Sequence, residues 1–240
     1  MLFKKDRAIT AVELLITISV MGIMFTMIAA IGLLLKQSYL SQSSLSNMQQ
    51  DASVALAKLS RELMETSCKT ASIYNPADIT QPTGIIFASA RDFNQNNEFQ
   101  IDPNTAKCIW YKYVCYYIDI DEKLGERALY RREFLQDPAG GTTGTTTPLP
   151  CTLSVSSFIT GGSITYGWLP KMIVAHRVRD LNFPDLGVSS TGIPPSVIGT
   201  KLPLRVDITI CEKPDTNFDP NNTNSSYNSL TVSFTMNMSN

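Results

Sequence analysis

The sequence has few of the residue types and motifs that enzymes use for catalysis. Its 240 residues include a single histidine, His176, and its five cysteines form no Cys-x-x-C pair. No serine, histidine and aspartate combine into a recognisable nucleophilic set, and no glycine-rich loop follows a predicted strand to hold a phosphate. The lack of these groups predicts that the chain is not an enzyme.

Net charge is also nearly absent. The 20 lysines and arginines and the 21 aspartates and glutamates give a formal net charge of −1 at pH 7. Proteins that attract nucleic acid or acidic lipid through their overall field concentrate positive charge on one surface. The sequence has no basic stripe of that kind, and it therefore indicates no nucleic-acid partner.

Charge, proline and glycine are all scarce in the N-terminal part of the chain. No proline precedes Pro76, and the only earlier glycines are Gly22 and Gly32. Residues 14–35 are 22 positions without a charged side chain. At about 1.5 Å per residue, a helix of that length can cross a hydrocarbon core of roughly 30 Å. The sequence therefore predicts a helix that spans a membrane.

The charges on either side of this segment predict its orientation. Lys4, Lys5 and Arg7 precede it and Lys36 follows it. Basic residues before the first span keep the N-terminus in the cytoplasm, so the rest of the chain is expected outside. The apolar run is longer than that of a cleaved secretory signal. The prediction is a single-pass protein of the inner (cytoplasmic) membrane, with its head outside the cytoplasm.

One carboxylate, Glu13, lies at the start of the apolar segment. A carboxylate within hydrocarbon costs about 2.5–3.5 kcal/mol on insertion scales. In the simpler interpretation, the segment is an ordinary signal anchor and Glu13 still reaches water. In the other interpretation, Glu13 lies in lipid and requires a positively charged partner.

The segment from Ala8 to Leu15, Ala-Ile-Thr-Ala-Val-Glu-Leu-Leu, resembles the class III signal of type IV pilins and type II secretion pseudopilins. In that family, prepilin peptidase removes a basic leader after a small residue, and a glutamate is fifth in the mature chain. The resemblance implies cleavage between Ala8 and Ile9, N-methylation of the Ile9 amine and a role for Glu13 in assembly. Ala8 replaces the usual glycine and Ile9 the usual phenylalanine, but Ala8 keeps the small size that the peptidase needs.

The helix is predicted to continue beyond the membrane to about Thr66. Six apolar residues recur at spacings of three and four on one helical face, with polar residues opposite. They are Leu45, Met48, Ala52, Leu56, Leu59 and Leu63. This pattern favours packing against a sheet of the same chain over a coiled coil. The predicted organisation is a leader at 1–8, a membrane and assembly half of the helix at 9–35, an amphipathic half at 36–67 and a β-rich head at 68–240.

The head alternates between apolar and polar residues in several stretches. Alternation is clean over 204–211 and 229–238, as expected of half-buried antiparallel strands. Further strands are predicted at 84–88, 108–120, 127–135, 154–160 and 171–183, the last with a bulge or bend near Arg179. Three stretches are predicted loops, namely 137–150, 185–203 and 213–228. The predicted fold class is therefore α+β, with a long N-terminal α-helix packed on an antiparallel β-sheet head.

The order of a long helix, strands with long insertions and a C-terminal strand resembles the minor pilins of the W class and the minor pseudopilin J class. Residues 171–183, 202–211 and the final strand carry this resemblance. It implies a structural subunit that initiates or caps a type IV pilus-like filament. Its partners would be other minor pilins or pseudopilins and the major subunit, in a pilus or a type II secretion system. The alternative is a membrane-anchored adhesin or sensor ectodomain that does not polymerise.

The five cysteines all follow the membrane segment. They are Cys68, Cys108, Cys115, Cys151 and Cys211. If the outer compartment is oxidising, two disulfides and one remaining thiol are expected, with the pairing open. Cys108 and Cys115 are seven apart in one predicted strand, so they are expected to face opposite sides and not to pair.

No metal site or cofactor is predicted. The thiols lack zinc spacing. Asp215, Asn217, Asp219 and Asn221 alternate as the first ligands of an EF-hand do, and so do the acidic and amide residues of 92–98. Neither loop has the glycine and glutamate at the later positions of that motif, so solvated turns are favoured over calcium.

A cluster of aromatic residues falls in the predicted strand 108–120. It comprises Trp110, Tyr111, Tyr113, Tyr116 and Tyr117. The cluster could form a binding platform, but aromatic residues on both faces of one strand favour a central strand that is covered on both sides.

Overall fold

The computed structural model describes residues 10–75, 83–91, 98–121, 123–135, 144–146, 171–186, 189–193, 195–200, 202–211 and 229–238. The chain divides into two compact units, Met1–Ser46 and Asn47–Asn240. One long helix at the N-terminal end and antiparallel sheets in the head confirm the predicted α+β class.

The long helix, α1, covers Ala11–Met64. It starts and ends within two residues of the predicted limits, because no proline interrupts it and both of its glycines lie in the apolar part. A short 3-10 helix, Cys68–Thr70, follows it, and the Ser67 side chain accepts a hydrogen bond from the Lys69 N–H at its start.

The apolar face of α1 is largely the predicted one. Met48, Ala52, Leu59 and Leu63 are buried, and the half-buried Leu56 packs against the same core. Leu45 is 43% exposed and belongs to the other unit, so its prediction as a sheet-packing residue is wrong. The buried face also includes Ala55 and Glu62, which the apolar pattern did not predict.

The larger sheet has six strands in the order β5-β4-β3-β2-β1-β7, and each neighbouring pair is antiparallel. Its strands are β1 Ser72–Asn75, β2 Gly84–Ser89, β3 Lys112–Ile120, β4 Arg127–Leu135, β5 Met172–His176 and β7 Ser189–Ile193. The smaller sheet has the order β6-β8-β9. Its strands are β6 Val178–Asn182, β8 Leu204–Cys211 and β9 Ser229–Met236.

The predicted strand 171–183 is two strands in the structure, one in each sheet. The chain turns at Arg177, whose φ is 56°, and the carbonyl of Arg177 accepts a hydrogen bond of 2.9 Å from the Cys211 N–H. The register of β6 against β8 shifts between Val178 and Asp180, which confirms the predicted bulge near Arg179. This register shift explains why the apolar phase slips between Val178 and Leu181.

Two apolar clusters lie on opposite faces of the larger sheet. The inner core joins the buried face of α1 to β1–β4 and the smaller sheet, and the outer core lies on the other side. In β3, Val114 and Tyr116 belong to the inner core, whereas Tyr113 and Tyr117 belong to the outer core. The prediction of a central strand covered on both faces is confirmed, although Tyr111 is only half-buried.

The predicted placement of Cys108 is wrong. Strand β3 begins at Lys112, and Cys108 instead forms an isolated bridge with Ile101. Cys115 lies in the outer core and Cys108 packs against that same cluster. Because the residues before β3 pair with separate segments of the chain, strand alternation does not extend back to Cys108.

The predicted loop 185–203 is also partly wrong. It contains β7 and a short helix, α2, at Pro195–Thr200. Strand β7 pairs with β1, more than a hundred residues earlier, so its strand conformation depends on a distant partner. The predicted strand 154–160, and the predicted loops 137–150 and 213–228 apart from 144–146, lie outside the described residues.

Ala106 occupies a left-handed conformation, with φ at 53°, in the turn closed by the Asp102 N–H and the Lys107 carbonyl at 2.8 Å. That conformation is costly for an L side chain and not for glycine. Ala106→Gly removes a penalty of about 1–2 kcal/mol and adds unfolded-state entropy that costs about 0.4–1 kcal/mol. The free energy of unfolding is therefore expected to rise by about 0.5–1 kcal/mol. Urea denaturation of the full chain in detergent measures it. The control, Ala57→Gly at an exposed position inside α1, is expected to lower it by about 1 kcal/mol; losses of equal size would contradict the argument.

Candidate functional site

The first turn of α1 is closed by a reciprocal capping box. The Thr10 N–H donates to Oε2 of Glu13 at 3.0 Å, and the Glu13 N–H donates to Oγ1 of Thr10 at 3.3 Å. Residues at the start of a helix have no partners within it for their N–H groups, and this exchange satisfies two of them. The negative charge of Glu13 also lies at the positive end of the helix dipole. The Thr10-Ala11-Val12-Glu13 sequence carries the S/T-x-x-E signature of such a box, and sequence reasoning missed it.

After Glu13, the helix carries no charge until Lys36. Its few hydroxyl side chains bond to the helix itself. Thr17 Oγ1 donates to the Glu13 carbonyl at 2.7 Å, Ser19 Oγ to the Leu15 carbonyl at 2.8 Å and Thr26 Oγ1 to the Ile23 carbonyl at 2.7 Å. Hydroxyl groups satisfied in this way can enter hydrocarbon without the cost of an unpaired polar group.

In the part of the chain that the structure describes, α1 is the one helix long and apolar enough to cross a membrane. None of its apolar segment is buried inside the protein, so it is not the core helix of a soluble domain. Length and composition are those of a membrane anchor or a signal sequence.

The opposite end of α1 carries a buried cluster of charges. Glu62, which is 5% exposed, accepts hydrogen bonds of 3.0 Å from the Tyr116 hydroxyl and from Nε of Arg131, which is 6% exposed. Tyr116 and Arg131 are directly opposite each other on β3 and β4. The carboxylate of the helix therefore bonds to two adjacent strands of the larger sheet at once.

Two further ionic groups extend this cluster. Arg131 also pairs with Glu133, and Nζ of the buried Lys112 lies 3.1 Å from Oε2 of Glu133. Burial of unpaired charges is very costly, whereas paired and hydrogen-bonded charges are tolerated. The cluster formed by Glu62, Tyr116, Arg131, Glu133 and Lys112 is called the ionic cluster below.

Burial and charge in the ionic cluster shift the pKa values of two of its members and of one neighbouring lysine. Burial and the negative charge of Glu62 raise the pKa of the Tyr116 hydroxyl well above its ordinary value, so it stays a donor. Burial alone would lower the pKa of Arg131, but the charges of Glu62 and Glu133 outweigh burial and raise it. Burial, and next the charge of Arg131, lowers the pKa of the nearby Lys58. The ionic cluster thus keeps Arg131 charged and Tyr116 neutral across the physiological range.

A second set of contacts fixes the C-terminal end of α1. Nε of Arg91 donates to Oε2 of Glu65 at 2.5 Å. Thr66 Oγ1 donates to the Ala88 carbonyl at 2.5 Å, and the Ala88 N–H donates to Thr70 Oγ1 at 3.3 Å. These bonds join the turn after the helix to β2. The arrangement positions the helix on the sheet.

The remaining predicted site residues are placed as follows. Ala8 and Ile9 lie outside the described residues, as do Cys151 and the whole of the loop with Asp215, Asn217, Asp219 and Asn221. No disulfide joins any two of the four cysteines that the structure describes. Across the same residues, no three His, Cys, Asp or Glu side chains group as metal ligands would. His176 is half-buried at the end of β5, opposite Ala128.

Glu62 is the residue that sequence reasoning missed entirely. It lies three positions after Leu59 on the apolar face of α1, where the helical period marks it as buried. A carboxylate at a core position of an amphipathic helix signals a partner from another element, because such groups are almost never buried unpaired.

Comparison with known proteins gives no match, whether to a protein-family model, to a curated protein or to a solved structure.

Proposed function

We propose that this chain is a minor pilin or pseudopilin, a structural subunit that initiates or caps a type IV pilus-like filament. Prepilin peptidase would first cleave it between Ala8 and Ile9. The observation that carries the proposal is that Glu13 is the sole charged side chain of residues 10–35 and lies in the first turn of a helix whose apolar segment is not buried.

The proposal gives Glu13 a positively charged partner on a neighbouring subunit, in addition to its hydrogen bond with Thr10. Membrane-spanning helices brought together in parallel with an axial offset would place the free amine of one subunit beside the carboxylate of the next. A charge-assisted hydrogen bond between them is worth about 1.5–3 kcal/mol, comparable to the cost of holding a carboxylate in hydrocarbon. Glu13 would then set the axial position of each newly added subunit. The other minor subunits and the major subunit are the partners.

The proposal also requires a particular location. The unprocessed chain lies in the inner membrane with its head outside the cytoplasm, and the processed chain lies in the filament or at its tip. The basic residues before the apolar segment support that orientation. A structural role fits a head whose charged groups in the ionic cluster bond α1 to the sheet.

The mature N-terminus tests the proposal. Protein purified from cells with an active prepilin peptidase is expected to begin at Ile9 with a methylated amine, as measured by intact mass and N-terminal sequencing. An Ala8→Leu variant should stay uncleaved, because a large side chain replaces the small one before the cut. Retention of the first eight residues by the unaltered chain in such cells would contradict the proposal.

The second candidate function is a membrane-anchored adhesin or sensor ectodomain that does not polymerise. One observation favours it: the capping box satisfies Glu13 within its own chain, with no neighbour required. This candidate predicts that the mature protein begins at Met1. The same N-terminal measurement therefore distinguishes the two functions.

A further inference from the structure

Strand β9 has an edge that meets no other strand in the part of the fold that the structure describes. It pairs with β8 over eight consecutive residues without a register shift, and β8 separates it from β6. A strand at the edge of a sheet exposes a row of N–H and C=O groups that can pair with another strand.

The other sheet edges carry features that discourage such pairing. Strand β6 has five residues, includes Arg179 and Asp180, and its register shifts against β8. Strands β5 and β7 are also five residues long, and each has a register shift against its neighbour. Short strands, charges and bulges all disfavour the pairing of an edge strand with another chain.

Strand β9 has none of these features. Its sequence, Ser-Leu-Thr-Val-Ser-Phe-Thr-Met, contains no charge, no proline and no glycine. Four of its eight residues are Thr, Val or Phe, which favour strands, and apolar and hydroxyl residues alternate along its length. Beside it, in the part of the chain that the structure describes, Arg205 pairs with Asp207 of the same strand, β8, and also donates a hydrogen bond of 3.4 Å to Oγ of Ser233. The edge is therefore electrically neutral.

The apolar row of β9 is incompletely covered. Leu230, Val232 and Phe234 pack against the inner core but are only half-buried. Their partners on β8, which are Ile210, Ile208 and Val206, are fully buried. Among the described residues, β8 has a strand on each side and β9 has a strand on one side only, which accounts for the difference. A further strand beside β9 would cover the remaining apolar area.

We propose that this edge pairs with β9 of a second copy of the chain, antiparallel and about a two-fold axis perpendicular to the sheet. That axis keeps the two apolar rows on the same face and the two rows of Ser and Thr on the other. Cross-strand apolar and hydroxyl pairs each stabilise a sheet. Because β9 is uncharged, the two copies bring no like charges together. The product is one sheet with the order β6-β8-β9-β9-β8-β6, an interface of the isologous kind that two-fold dimers use.

A photoreactive amino acid tests the pairing in the full-length protein in its native membrane. Ser233 is exposed on β9. Lys123 is also exposed, in the turn between β3 and β4, more than a hundred residues earlier in the sequence than β9. Benzoylphenylalanine at position 233 is expected to give a cross-linked dimer in which mass spectrometry finds two peptides that contain β9. The same probe at position 123 should give at least threefold less of this dimer.

A charge on the edge provides the second measurement. Thr231→Lys changes an exposed residue, so the fold is retained, and places like charges near each other across the axis. The cross-linked dimer is expected to fall at least threefold, whereas Leu124→Lys in the β3–β4 turn should leave it unchanged. Cross-links from position 233 only to another protein or only within one chain, or a yield insensitive to Thr231→Lys, would overturn the proposal. The outcome does not depend on leader processing, so it is separate from the proposed filament function.

Discussion

Arg131→Met is expected to lower the free energy of unfolding of the Asn47–Asn240 unit by about 3–5 kcal/mol. The substitution removes the cation that Glu62 bonds, and leaves a carboxylate that is 5% exposed with one neutral donor, Tyr116. Such a carboxylate has lost both its hydration and the cation that was bonded directly to it. Glu133 is affected less, because Lys112 remains 3.1 Å away. Urea denaturation of the full chain in detergent, followed by tryptophan fluorescence, measures the change.

Two further variants separate a buried ion pair from the loss of arginine packing. Arg205→Met removes a cation that is 49% exposed from its pair with Asp207, and this should cost no more than about 1 kcal/mol. Combining Arg131→Met with Glu62→Leu removes both buried charges and should recover part of the loss, because no charge of this pair is left unpaired and only the neutral Tyr116 hydroxyl loses its acceptor. If the double variant were less stable than Arg131→Met alone, packing rather than charge would explain the cost.

Glu13→Leu is expected to leave membrane insertion intact and to lower recovery of the protein in sheared filaments at least about tenfold. Leucine lowers the cost of inserting the segment by removing a carboxylate from the apolar region. Under the proposed function, it also removes the partner of the neighbouring amine, whose bond is worth about 1.5–3 kcal/mol, or a factor of ten or more. Immunoblots of the membrane and filament fractions measure both effects.

Because of the capping box, Glu13→Gln is the most informative variant to compare with Glu13→Leu. Glutamine at the same position can still accept the hydrogen bond from the Thr10 N–H, as the Gln form of a capping box does, but it carries no charge. If Glu13 serves only to start its helix, Glu13→Gln should assemble normally. If it pairs with an amine, Glu13→Gln should fail like Glu13→Leu. Normal recovery of both variants would remove Glu13 from any account of assembly.

Much of the local structure was predictable because it depends on neighbouring residues in the sequence. The lack of proline before Pro76 and the apolar period gave the extent of α1. The predicted strand at 127–135 matches β4, and the one at 84–88 differs from β2 by a single residue. The slip in apolar phase near Arg179 predicted the bulge in β6, since one inserted residue reverses the face of every side chain after it.

The identity of the partners in the ionic cluster was beyond such reasoning. Glu62 and Arg131 are 69 residues apart, and no local pattern relates them. In the sequence, Arg131 and Glu133 are charged residues of a strand and would be expected to face solvent. They are held inside because α1 covers that face of the sheet and brings Glu62 to it.

The sequence by itself determined the apolar helix with its single acidic residue at the start, and the α+β class of the chain. Helical period, strand alternation and the lack of charge are properties of short segments, so they can be recognised without knowledge of the fold. Only the tertiary structure decided which charges are buried, which face of β3 meets α1, and that β7 pairs with β1. These depend on contacts between distant segments, whose favourable energy appears only after the chain entropy lost in bringing them together has been overcome.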